Sequence, residues 1–207
     1  MTDRKHRKLG AFGFLASADV ASRGDTNAGL LDQVLALSWV QKYISTFGGD
    51  PKQVTIGGIS AGAGSVLHHN LADDGATKPP LFRYAFAASN SVSPQYQVDS
   101  DIPTAQYQAF AKVSGCGNAS VVFNCLVRAD AQTLQAANLN VSADGIRGIL
   151  AFLPGIDGVY IKELPSVQLT RKRVNSEKLF LGVRLRSPPE VARRGSPPMS
   201  PSSITNR

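Results

Sequence analysis

The chain has 207 residues, enough for one domain with a buried core, and its 43% hydrophobic content places it in the globular class. No run of about 18 apolar residues occurs, so no transmembrane helix is expected, and Ala11–Ala16 is too short and glycine-rich for a signal-peptide core. The net charge of +7 sits at the two ends: residues 1–10 carry +3, residues 183–207 carry +4 and the remainder is neutral, an arrangement that argues against a basic nucleic-acid-binding face.

In chain order, residues 1–8 form a basic start. Leu9-Gly10-Ala11-Phe12-Gly13-Phe14-Leu15 reads as a strand entering a loop, and the small polar run from Ala18 to Asn27 reads as that loop. From Gly29 to Thr46 the apolar residues Leu30, Leu31, Val34, Leu35, Leu37, Trp39, Val40 and Ile44 recur at helical spacing. They lie nearly all round, which predicts a well-buried helix. Gly48 and Gly49, followed by Pro51, end it.

Val54-Thr55-Ile56 is a β-branched run suited to a buried strand. It leads into Gly58-Ile59-Ser60-Ala61-Gly62, and the small residues from Ala61 onward open a helix reaching about Leu71. Strand, sharp turn and helix with a serine at the tip are the geometry of a Gly-x-Ser-x-Gly nucleophile elbow. Gly58 and Gly62 are required because a Cβ at either would collide with the neighbouring strand or helix. The turn holds the Ser60 Oγ above the sheet edge, and the backbone N–H of Ala61 points to the same place.

Asp73-Asp74-Gly75 and Lys78-Pro79-Pro80 form a loop, and Phe82–Ala88 a second buried strand. Helix, strand, helix, strand predicts a parallel α/β sheet with crossover helices. Ser89 and Ser91 then fall at the same carboxyl edge as Ser60, where open α/β sheets bind ligands; they read as second-layer residues of a site or as ordinary strand-end serines. Helices are expected over Thr104–Val113 and Gln132–Asn138, with a short helical segment between Cys116 and Cys125. Phe152–Ile161 reads as an extended run broken by Pro154-Gly155. Residues 183–207, rich in Arg, Pro and Ser, read as a disordered tail.

Cys116 and Cys125 are either two buried thiols or a disulfide; with no histidine nearby they do not form a zinc pattern, and no metal is expected. Asn118-Ala119-Ser120 and Asn140-Val141-Ser142 have the form of glycosylation acceptors. Of the three histidines, His6 lies in the basic start. His68 and His69 follow Ser60 along the same helix, with His68 about 12 Å away.

Phe47-Gly48-Gly49, four residues, then Val54-x-Ile56-x-Gly58-x-Ser60-Ala61-Gly62 resembles the active-site signature of the type-B carboxylesterase/lipase family. Asn27-Ala28-Gly29-Leu30-x-Asp32-Gln33 with Ala36-Leu37-x-Trp39-Val40 is similar to that family's helix before the elbow. Leu9–Leu15, Phe152-x-Pro154-x-Ile156-Asp157-Gly158 and Leu164-Pro165-Ser166 resemble other family segments. The resemblance implies an α/β-hydrolase fold over residues 9–182, a mostly parallel sheet with flanking helices, incomplete at both ends. It implies hydrolysis of a small-molecule or lipid carboxylic ester, without a cofactor, through an acyl-enzyme on Ser60 with Ala61 N–H as one oxyanion donor. It also implies a short-loop disulfide between Cys116 and Cys125 and a secreted protein, although no signal peptide is read in this chain.

The family's mechanism also uses a histidine base and an acidic residue to orient it. No triad histidine or acid is identified here: His68 and His69 are on the wrong part of the helix, and Glu190 follows two prolines in an unrelated context. The chain is therefore expected to be a truncated member, impaired on its own. The alternative is a non-catalytic hydrolase-fold protein that acts by binding.

Overall fold

The computed structural model describes residues 9–90, 94–143 and 151–182. Residues 1–8, Ser91 and the segment 183–207, including Glu190, lie outside the described residues, as does His6.

The first expectation to change is the opening strand. Ala11–Phe14 is a one-turn helix, α1. Gly10 takes φ +58°, the amides of Gly13 and Phe14 donate back to the Gly10 carbonyl at 3.2 and 2.9 Å, and the Asn138 Oδ1 accepts from Ala11 N at 2.8 Å. The backbone thus closes on itself and leaves no ladder edge. The polar stretch after it is also not all loop, because Ala18–Arg23 forms α2. Ser17 caps it by accepting from Val20 N at 3.1 Å. Asp19 and Arg23 pair one turn apart at 2.7 Å.

The long helix α3 spans Ala28–Tyr43 and runs on as a 3₁₀ turn over Ile44–Phe47. Its burial is one-sided rather than all-round. Leu30 is fully enclosed against Ile156 and Ile161, and Leu37 packs on the cluster of Ala63 and Val66. Leu35, Trp39, Tyr43 and Phe47, each four residues on from the last, remain exposed, Leu35 at 71%. Helix α1, the helix over Ala61–Leu71 and the 3₁₀ turn at Pro51–Gln53 pack against α3, while its apolar stripe on the exposed side packs on itself, with the Trp39 ring 5.5 Å from Tyr43 and 5.9 Å from Phe47.

A short 3₁₀ turn (Pro51–Gln53), with the Asp50 carboxylate accepting from Lys52 N, delivers the chain to β1, Thr55–Ile59. Helix α4 (Ala61–Leu71) returns across the sheet and ends in a 3₁₀ turn at Ala72–Gly75. Strand β2 is Tyr84–Ala88. Four helices follow among the described residues: α5 (Asp101–Val113), α6 (Val122–Arg128), α7 (Ala131–Ala143) and α8 (Pro165–Thr170). Strand β3, Lys178–Gly182, closes the described fold.

The three strands lie in the order β1-β2-β3 and are all parallel, as the alternation of elements predicts. Gly57, Phe86 and Phe180 share one cross-strand row; Gly58, Ala87 and Leu181 share the next, on the opposite face. Ala85 and Ala87 are fully buried beneath Ala63 and Val66 of α4. The small side chains at Ala63, Ala85 and Ala87 let helix and sheet approach closely. On the other face Ile59, Phe86 and Phe180 are exposed.

The run Phe152–Ile161 is not a strand. It makes a single parallel bridge, Gln97 with Ile156. The Asp157 Oδ1 then gathers the amides of Val159, Tyr160 and Ile161 at 2.8–2.9 Å, which curls the chain into a tight loop. Asn27, at φ 54°, locks this loop to the start of α3: its side chain donates to Gly155 O and Asp157 Oδ2 and accepts from Gly155 N. A second core forms among α5, α6 and α7 around Tyr107, Phe110, Leu126 and Phe152. The Cys116–Cys125 disulfide, with Cα atoms 5.7 Å apart, ties α5 to α6 there. Tyr107 donates to the Asp19 carboxylate at 2.5 Å; that bond first, with Arg23 alongside, holds the Asp19 carboxyl below its usual range.

Candidate active site

Ser60 stands between β1 and α4 with φ 55° and ψ −122°. An L-residue in this left-handed region is strained, a condition common where a side chain must be presented sharply. Two hydrogen bonds fix the turn: Ser60 N donates to Ala88 O at 3.1 Å, and Gly64 N to Ser60 O at 3.1 Å. The first ties the serine to the end of β2; the second starts the helix. The side chain does not cap α4, and the residue is exposed.

Gly58 permits this geometry by close approach. A Cβ at Gly58 would lie 2.2 Å from the Gly62 oxygen, 2.3 Å from its carbonyl carbon and 2.8 Å from Ala63 N, all backbone atoms. Gly57, one residue earlier and on the opposite face, has only Phe86 O at 3.9 Å. The elbow therefore needs glycine at Gly58 for room, and Gly57 is not under the same demand.

Ala61 is the first residue of α4, so its N–H has no intrahelical acceptor. It sits at the helix end where the backbone dipoles place partial positive charge. Such a group can donate to negative charge developing on a carbonyl oxygen beside the Ser60 Oγ.

Ser89 is the neighbour of Ser60 across the strand ends. Ile59 pairs with Ala88, so both serines follow directly on paired residues at the carboxyl edge. Ser89 also has positive φ, 47°, and its N–H donates to Gly182 O at 2.7 Å. The sheet thus brings Ser60 and Ser89 together.

The histidines are placed elsewhere. His68 and His69 lie buried near the far end of α4. His68 Nε2 is 2.6 Å from Gln95 Nε2. His69 Nδ1 is 2.5 Å from the Tyr160 hydroxyl, and its Nε2 is 2.9 Å from Gln33 Oε1. Both rings bind α4 to its surroundings, and neither is a base for Ser60. The sequence gives no sign of these partners, because Gln33, Gln95 and Tyr160 are distant in the chain. A histidine on a helix without a recognisable motif carries no more information than its period.

Burial pushes the His68 imidazole down to about 4 from an ordinary value of 6.5. Between those values the unfolded chain takes up a proton that the native chain refuses. The native state therefore loses stability as pH falls through this window and regains it as pH rises. The expected loss is on the order of 3 kcal/mol by pH 4. Urea denaturation at pH 7 and pH 4.5 should show a smaller difference for His68→Gln than for the native sequence; equal differences would count against the assignment.

The sequence model of the carboxylesterase family matches residues 6–188. Lipase 5 of Diutina rugosa is 39% identical over 163 residues, covering 75% of this chain and 29% of the lipase. A secreted triacylglycerol lipase, LIP1, of Gibberella zeae is 34% identical over 185 residues, covering 84% of this chain and 31% of the lipase. The crystal structure of EstA from Aspergillus niger superimposes with a TM-score of 0.71 at 36% identity, covering 84% of this chain and 33% of that one. The chain thus spans about a third or less of the length of these relatives.

Proposed function

The chain belongs to the carboxylesterase family, and we propose that it contributes the nucleophile of a carboxylic-ester hydrolase, acting through an acyl-enzyme on Ser60. The hydrolase-fold portion runs over residues 9–182. The observation that carries the proposal is the turn itself: a serine at φ 55° between a parallel strand and a helix, with Gly58 packed against the Gly62 backbone behind it.

In this reading the Ser60 Oγ attacks the ester carbonyl carbon while a base accepts its proton. The carbonyl oxygen gains negative charge and accepts a hydrogen bond from Ala61 N–H. Collapse of the tetrahedral intermediate expels the alcohol and leaves Ser60 acylated. Water then attacks the acyl carbonyl, and the serine is regenerated. His68 and His69 are engaged at the other end of α4, so neither supplies the base, and no described residue is assigned as base or acid. Ser89 acts as a positioning residue, fixing the strand end against which Ser60 N is bonded. The substrate is a lipid or small-molecule ester, a reading supported by the similarity to lipases. An extracellular location is supported by the disulfide and by the secreted relative.

A fluorophosphonate probe tests the assignment, since it reacts with an activated serine. In extracts of the natural source, the labelled peptide is expected to be the one containing Ser60. Native protein present in the extract but unlabelled would favour a non-catalytic, binding role.

A further inference from the structure

We infer that Asn118 is the attachment site of an N-linked glycan, presented on an exposed turn that the Cys116–Cys125 disulfide pins beside an open groove. The inference rests on the proposed extracellular route. Asn118-Ala119-Ser120 has the acceptor form, and both Asn118 and Ser120 are exposed. The turn is closed by Ala119 N donating to Cys116 O at 3.1 Å. The disulfide ties the base of this turn to Cys125 on α6. Asn118 itself lines a cavity of about 710 Å³, with Tyr107, Gln108 and Lys112 on the α5 side and Asp19 across it. A bulky, hydrated substituent on the Asn118 amide therefore has space beside it and polar groups to meet.

The second acceptor triplet is placed differently. Asn140-Val141-Ser142 lies within α7, and Val141 is buried in the core formed with Phe110 and Leu126. Helical hydrogen bonding holds that backbone, whereas the Asn118 triplet lies on an exposed turn outside any helix. The two triplets are alike as sequence and unlike as surfaces.

The modification is a group transfer from a lipid-linked oligosaccharide pyrophosphate, catalysed by the transferase of the secretory pathway. The Asn118 amide nitrogen forms a bond to the anomeric carbon of the first sugar. The carbon–oxygen bond to pyrophosphate breaks, the lipid pyrophosphate leaves with the electron pair, and the amide nitrogen gives up one proton to a base on the transferase.

The test is translation of the full 207-residue chain behind a cleavable signal sequence in the presence of endoplasmic-reticulum microsomes. Only protease-protected chains are scored, so the natural route does not enter. Peptide N-glycosidase is expected to remove one mobility step and to convert Asn118 to aspartate in most protected chains, read by peptide mass. Asn118→Gln and Ser120→Ala should each abolish that step, Ser120→Thr should keep it, and Asn140→Gln should leave it unchanged. Protected chains with unmodified Asn118, or a step that survives Asn118→Gln, would overturn the inference. The natural route is tested separately, by searching the medium of the source organism for the protein.

Discussion

The purified 207-residue chain is expected to hydrolyse p-nitrophenyl butyrate no faster than its Ser60→Ala variant. The elbow presents a serine and an oxyanion donor, but a neutral hydroxyl is a weak nucleophile until a base removes its proton. His68 and His69 are buried and bonded to Gln95, Tyr160 and Gln33. In a serine hydrolase the triad acts as a unit, and loss of either nucleophile or base costs on the order of 10⁶ in kcat. The same substitution in a form of the protein whose site includes a base is therefore expected to lower kcat by about 10⁶-fold, with KM little changed. A clear rate difference between the 207-residue chain and its variant would show that a base is present after all.

Gly58→Ala is expected to be far more damaging than Gly57→Ala one residue earlier. The added carbon falls 2.2–2.8 Å from three backbone atoms of Gly62 and Ala63, so relief requires moving the first turn of α4 away from β1. Overpacking of this kind costs about 1–3 kcal/mol and occasionally more. With backbone on both sides the upper end is expected, a fall in Tm of roughly 6–12 °C for a domain of this size. Gly57→Ala, on the open face of the same strand, should change Tm by no more than about 2 °C, since surface substitutions away from such features fall within about 0.5 kcal/mol. Thermal denaturation of the two variants side by side separates a close-approach requirement from general intolerance of alanine in β1. Similar losses in both would remove the steric account.

What could be read from the sequence divides along physical lines. The elbow was legible because its constraints are local: the β-branched run, the two small-residue flanks and the serine all fall within a few positions. The parallel sheet was legible because helix and strand periods alternate. Helix α3 was legible from its period, but its burial was not, since period says that a residue is apolar and not which side a neighbour occupies. Helices α1 and α2 were missed because they depend on single contacts, such as the Asn138 amide above Ala11 and the Ser17 cap. The Asn27–Gly155–Asp157 lock joins positions 128 and 130 residues apart, and no local pattern announces it. Ser89 was placed correctly at the carboxyl edge because its position follows from where β2 ends; its positive φ was not readable.

The ladder that fixes the elbow also sets the order in which it can form during folding. Ser60 N is bonded to the end of β2, and Ser89, next along, is bonded to the end of β3. These strands are parallel, and β3 is separated from β2 by four helices of sequence. Local helices can form quickly, but a parallel pair must first close the long loop between its strands, and such non-local pairings are slow. The bond from Ser89 N to Gly182 O is thus made only once this long loop has closed. An unpaired β2 edge is the kind of surface that pairs with other chains, and the pairing with β3 covers it.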